Sequence, residues 1–255
     1  MEQVSAKRSY FSSARIAVIA MFSALAAILY IFNFALPFAF PSFLEFKFSD
    51  IPVLIGSFAL GPVSSVIIVV SEILIKLVVK GSSTMFVGEI SDLLTSCAFA
   101  VTAGIIYKKH RTFKGALVGM AVGTAVEVVV AVLINWLFLV PFYVQFLFNG
   151  NWAPLINAMN KLFPNCTREN FYNYYLWVSV LPFNLLRCLV AVLVTLPVYK
   201  RISMLINRFN AKLEPKSEEG AVKSKKINIA AICISAVVIV LLLTFAILRV
   251  LVFSE

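Results

Sequence analysis

The sequence predicts an all-α integral membrane protein, a bundle of six transmembrane helices with an additional C-terminal transmembrane helix. Three observations carry this expectation. The 255 residues are 61% hydrophobic and 13% charged with a mean hydropathy of +0.96, outside the range of soluble globular domains. Several apolar runs reach the roughly 20 residues that cross a bilayer. The basic residues collect between and after those runs, as they do in cytoplasmic loops. The net charge of +10 is therefore read as topology, with the lipid bilayer as partner and no nucleic acid.

Residues 1–13 form a basic cytoplasmic N-terminus with Lys7 and Arg8. The first span, 14–36, is too long for a signal-peptide core and lacks a clear cleavage site. Its Ala17, Ala20, Ala24 and Ala27 make a small-residue stripe that lets helices approach closely in lipid. That stripe serves either packing inside the bundle or docking of another subunit. Pro37 and Pro41 close the span, and an aromatic outer loop follows to Phe48. Ser49 or Asp50 is expected to cap a short second helix with Pro52 in its first turn. Gly61-Pro62 is a tight joint to a third span ending at Lys80, where Glu72 and Lys76 are spaced to neutralise one another.

The fourth span, 85–107, opens on Gly88-Glu89-Ile90-Ser91-Asp92 and ends in a basic loop from Lys108 to Lys114. The fifth carries Gly115, Gly119 and Gly123, a close-packing ridge assigned to bundle assembly, then Glu127 and Asn135, with Trp136, Pro141 and Tyr143 toward the outer interface. A long outer loop, 145–170, precedes the sixth span, 172–199. The spans and their loops make a substrate-binding membrane domain over 14–205, followed by a charged cytoplasmic linker, 206–226, and an extra transmembrane helix, 227–255. Its Arg249 can snorkel at the outer end.

Several chemistries are absent from the sequence. The single histidine, His110, excludes His-pair metalloprotease motifs, and no P-loop for nucleotide hydrolysis occurs. Cys97, Cys166, Cys188 and Cys233 are not spaced as a metal or redox pair. No metal and no cofactor is expected.

Function is sought instead in the sixth span, in the segment from Trp177 to Arg187. Asn184 and Arg187 lie three apart, on one helix face. An arginine at the centre of a span costs about 2.5–3.5 kcal/mol on insertion scales and cannot lose its proton, so it must face a partner or a cavity. Two readings stand for Arg187: pairing with Glu127 or Asp92, or contact with a solute. Asn184 and Asn135 bring donors and acceptors without charge. Two amides and a guanidinium suit a neutral heterocycle with imide or carbonyl edges, held among aromatic faces.

In order along the chain, Phe48-Ser49-Asp50-Ile51-Pro52-Val53-Leu54-Ile55-Gly56, Phe58-Ala59-Leu60-Gly61-Pro62, the Gly88–Asp92 segment, Asn135 with Pro141-Phe142-Tyr143, and Leu181-Pro182-Phe183-Asn184-Leu185-Leu186-Arg187 resemble the S components of ECF-type vitamin transporters, most of all the riboflavin-binding branch. The resemblance covers about 14–205. It implies a high-affinity substrate-binding subunit, not an enzyme, that takes up riboflavin or a close flavin. Energy would come from a coupling transmembrane subunit and two ATPase subunits. It places Asn184, Arg187 and Asn135 at the ligand, joined by Asp92, Glu89 and Tyr143 as further candidates. Ala20 and Ala24 become the coupling contacts, and the loop between helices one and two closes the pocket. The implied location is the bacterial cell membrane, multi-pass, with a cytoplasmic N-terminus. The sequence departs from the family in carrying Arg187 where Lys is frequent, and in the Glu72–Lys76 pair. The alternatives are an S component for another vitamin, such as pantothenate or a thiamine precursor, and a membrane-embedded enzyme using Glu89, Asp92 or Glu127.

Overall fold

A computed structural model of the protein describes residues 13–213, Ser83 excepted. The extra C-terminal helix and most of the charged linker lie outside the described residues. The six bundle helices are present. Helix α1 (Ser13–Ile31) ends five residues before Leu36, because the chain turns early into a small antiparallel ribbon. In it β1 (Phe34–Ala35) pairs with β2 (Glu45–Phe46), Phe34 opposite Phe46 and Ala35 opposite Glu45. The ribbon was not foreseen; two residues per strand are too few for a readable alternation.

Helix α2 (Asp50–Leu60) has 11 residues, about 16 Å, too short to cross a bilayer. Nearly every residue of it is buried, which makes it an inner post of the bundle. The expected cap is absent: neither Ser49 nor Asp50 bonds the helix N-terminus, since the Ser49 hydroxyl turns to Glu72 and Asp50 to Ser96 and Arg187. Gly61 (φ 92°) makes the turn into α3 (Pro62–Lys80), with Pro62 in the first turn, where its missing N–H is harmless.

Helix α4 (Val87–Lys109) and α5 (Phe113–Ile134) pack through the glycine ridge. A Cβ on Gly119 would stand 2.8 Å from the Ala103 carbonyl oxygen, and one on Gly123 2.8 Å from that of Phe99. Thr112 caps α5, its hydroxyl accepting from the Gly115 N–H at 3.0 Å. The rod then continues to Leu147 through π-helical turns at Asn135–Leu139 and Tyr143–Leu147. Within the expected loop a short helix, α6 (Ala153–Asn160), packs Leu155 and Met159 against Phe171 and Tyr175. The sixth span starts as a π-helix (Asn173–Val180) and runs on as α7 (Leu181–Leu213), past the expected end near Tyr199.

Helices α3, α4, the α5 rod and the α7 rod are long and apolar enough to cross a membrane; α1 and α2 are shorter. Ala20 and Ala24 are exposed on α1 while Ala26 and Ala27 are buried. The outer part of the alanine stripe therefore does not pack inside this bundle.

Candidate functional site

The C-terminal end of α1, the start of α4, the π-wound part of α5 and the start of α7 surround a cavity of about 350 Å³. That is within the roughly 300–1,000 Å³ range of small-molecule sites. Asn184, Arg187, Asn135, Asp92, Glu89 and Tyr143, separated by up to 98 positions in sequence, all line it. Phe183, Phe43 and Tyr30 add aromatic wall. The loop between β1 and β2 forms part of this wall: Phe43 lies 5.6 Å from the Tyr175 ring, and Phe40 meets Phe183 edge-on at 5.2 Å.

The two amides are held alike. Asn135 Nδ2 donates to the Ala131 carbonyl and Asn184 Nδ2 to the Val180 carbonyl, both at 2.8 Å and four residues back. Each bond falls where its helix changes between α and π winding, where backbone carbonyls lose their regular partners. Tyr175 donates to Asn135 Oδ1 at 2.5 Å and fixes that amide's orientation. Each amide keeps a second N–H free for a solute's carbonyl edge.

Arg187 is locked onto carboxylates, in line with the pairing reading of its sequence. Its guanidinium reaches Glu127 Oε1 at 2.6 Å, Asp50 Oδ2 at 3.1 Å and Asp92 Oδ1 at 3.7 Å. It nevertheless borders the cavity, so the same group ties four helices together and forms part of the wall. Asp92 is shared further, accepting from the Tyr30 hydroxyl and lying 3.4 Å from Lys47 Nζ. Lys47 donates to Ser96, which donates to Asp50 at 2.7 Å, closing the network.

The expected Glu72–Lys76 pair does not form. Lys76 instead reaches across to Glu89 at 2.5 Å, whose other oxygen accepts from Ser82 at 2.9 Å and Thr84 at 3.1 Å. Glu72 is fully buried and accepts only from Ser49, at 3.3 Å. An i,i+4 spacing permits a pair but does not outbid a partner aimed from the next helix. Sequence reasoning missed Lys47, Asp50 and Tyr175. Lys47 had been counted as an outer-loop charge and Asp50 as a cap, yet both are 2% exposed. Their spacing of three, on the same approach to α2, was the available signal.

Among the described residues no group of three or more His, Cys, Asp or Glu side chains is arranged to hold a metal ion. Cys97, Cys166 and Cys188 are free thiols. Cys233 lies outside the described residues.

Comparison with known proteins gives a consistent picture. The sequence model of the family described as "ECF transporter, substrate-specific component" matches residues 14–199. The riboflavin transporter RibU of Staphylococcus aureus is 27% identical over 194 residues, covering 76% of this chain and 93% of that protein. The riboflavin transporter FmnP of Bacillus subtilis is 26% identical over 52% of this chain and 70% of its own. RibU of Streptococcus thermophilus is 29% identical over 72% of this chain and 81% of its own. Among solved structures, the S component of a bacterial ECF transporter superposes with a TM-score of 0.57 at 26% identity, covering 76% of this chain and 98% of that one.

Proposed function

The chain belongs to the substrate-specific components of ECF transporters, and on that premise we propose that it binds riboflavin in the cavity between α1, α4, α5 and α7. It is a transport component and not an enzyme. One observation carries the reading. The cavity presents two oriented carboxamides, Asn135 and Asn184, beside ionised groups that already have partners. Paired charges ask for no counter-charge from the ligand, while amides recognise the imide and carbonyl edges of a neutral ring. An isoalloxazine offers those edges and a flat face for Phe43, Phe183 and Tyr143. The relatives named as riboflavin transporters support the same ligand.

In this reading Asn184, Asn135 and Tyr143 touch the flavin, and Arg187, Asp92 and Glu89 shape the wall. The chain works with the membrane and ATPase subunits of an ECF module, and the exposed Ala20 and Ala24 on α1 are the coupling contacts. It sits in the bacterial cell membrane with the N-terminus and the 108–114 loop cytoplasmic, as the basic residues there suggest. The extra C-terminal helix adds a further span outside the binding domain.

The test is binding by quenching of flavin fluorescence on the purified full chain, with pantothenate and thiamine as competitors. Riboflavin is expected to bind, and Asn184→Ala to weaken it roughly 10–100-fold with an unchanged melting temperature, since the side chain bonds only its own helix. Absence of riboflavin binding, or displacement by either competitor, defeats the ligand assignment. Full affinity in Asn184→Ala defeats the residue assignment.

A further inference from the structure

A second hollow lies at the opposite end of the bundle. It has a volume of about 180 Å³ and is lined by Arg15, Lys108 and Arg111 together with the C-terminal end of α2 and Gly104 and Tyr107 of α4. Arg15 and Tyr30, on the same helix, border different hollows; 15 residues separate them, which is about 22 Å along the axis. The two sites are therefore independent.

Three features make this hollow a place for an anion. It gathers three cationic side chains, and no described acid lines it. Lys108 and Arg111 are exposed and form no ion pair with a described carboxylate. The floor is kept open by backbone: Gly61 turns with φ 92°, and a Cβ there would meet nothing within 4 Å. Arg15 is set in place by donating to the Leu60 carbonyl, one of the acceptors a helix end leaves unpaired.

The depth selects the anion. Arg15 is near the start of α1 and Lys108 near the end of α4, so the hollow lies where helices leave the hydrocarbon. Ile16 and Phe113, each 52% exposed, stand beside the basic residues and offer apolar surface to an acyl chain. Basic pockets between transmembrane helices at this level suit phosphate head groups. We propose that the hollow is a phosphate site, filled in the membrane by the phosphodiester of an acidic lipid.

The experiment uses the full chain in detergent and reads lipid retention by native mass spectrometry and melting temperature. Phosphatidylglycerol is expected to be retained and to raise the melting temperature, and phosphatidylcholine to do neither. A lysine or arginine near a membrane surface contributes roughly 5-fold in affinity, so Lys108→Ala with Arg111→Ala should weaken phosphatidylglycerol about 30-fold. The flanking pair Lys109→Ala with Lys114→Ala removes the same charge outside the hollow and is expected to cost much less. Equal retention of both lipids overturns the proposal, and so does an equal loss in the two double variants. Stabilisation by inorganic phosphate alone, lost in the first double variant, supports the phosphate site and removes the lipid from it. Riboflavin binding, measured on the same samples, reports separately on the site at the other end.

Discussion

Replacing Arg187 with methionine removes the charge that joins α2, α4, α5 and α7 but keeps an apolar body of similar length. The loss is unequal among its three acids. Asp92 retains Lys47 at 3.4 Å and the Tyr30 hydroxyl, and Asp50 retains the Ser96 hydroxyl at 2.7 Å. Glu127, with no solvent exposure, keeps only the Cys188 thiol at 3.4 Å. The penalty therefore concentrates on Glu127, at the roughly 3–5 kcal/mol typical of leaving one member of a buried ion pair behind. For a domain of this size that corresponds to a fall of about 6–20 °C in melting temperature. Adding Glu127→Leu removes the stranded carboxylate and should recover most of the fall, because an apolar pair of similar volume substitutes for a buried ion pair at little cost. The assay is thermal unfolding of ligand-free protein in detergent. If Arg187→Met melts within a degree or two of the parent, or the double variant melts below the single one, the network does not hold the bundle in the way argued.

Three further outcomes are expected. Glu72→Gln should leave stability within about 1 kcal/mol of the parent, since Glu72 has no close cation and one of its oxygens has no hydrogen-bond partner; a fall like that of Arg187→Met contradicts this. Gly119→Ala and Gly123→Ala should each cost about 1–3 kcal/mol by thermal melting, because the new methyl meets a carbonyl oxygen of α4 and not a side chain that can swing away; parent-like melting contradicts this. Burial pushes the Cys166 thiol above its ordinary value, and the thiolate is the reactive form. Alkylation of Cys166, followed by peptide mapping, should therefore be slow near neutral pH and accelerate at higher pH than in the unfolded chain; coincident profiles contradict this.

The helices and the six wall residues were readable because both rest on strong local signals. Apolar length marks a span, and a polar side chain inside one is conspicuous. What escaped was set by partners distant in sequence. Lys47 looked like a loop charge, yet it is buried because Asp92 and Ser96 reach it from α4. Glu72 and Lys76 satisfied the helical spacing rule, but Glu89 approached Lys76 more closely from across the α3–α4 turn. Helix α6 was hidden in a polar loop because its eight residues bury only one face. The π-wound turns have no composition that distinguishes them from α-helix.

Those turns have a consequence for how the chain tolerates change in length. A wide turn holds one residue more than an ordinary helix would place there, so removing a residue from 135–139 leaves a continuous rod. Everything beyond the deletion, however, is rotated by about 100° about the axis. Tyr143 would swing off the cavity wall while the lipid-facing surface stayed equally greasy. Such a shortened protein would still insert and fold as a bundle yet greet its solute with the wrong side of a helix.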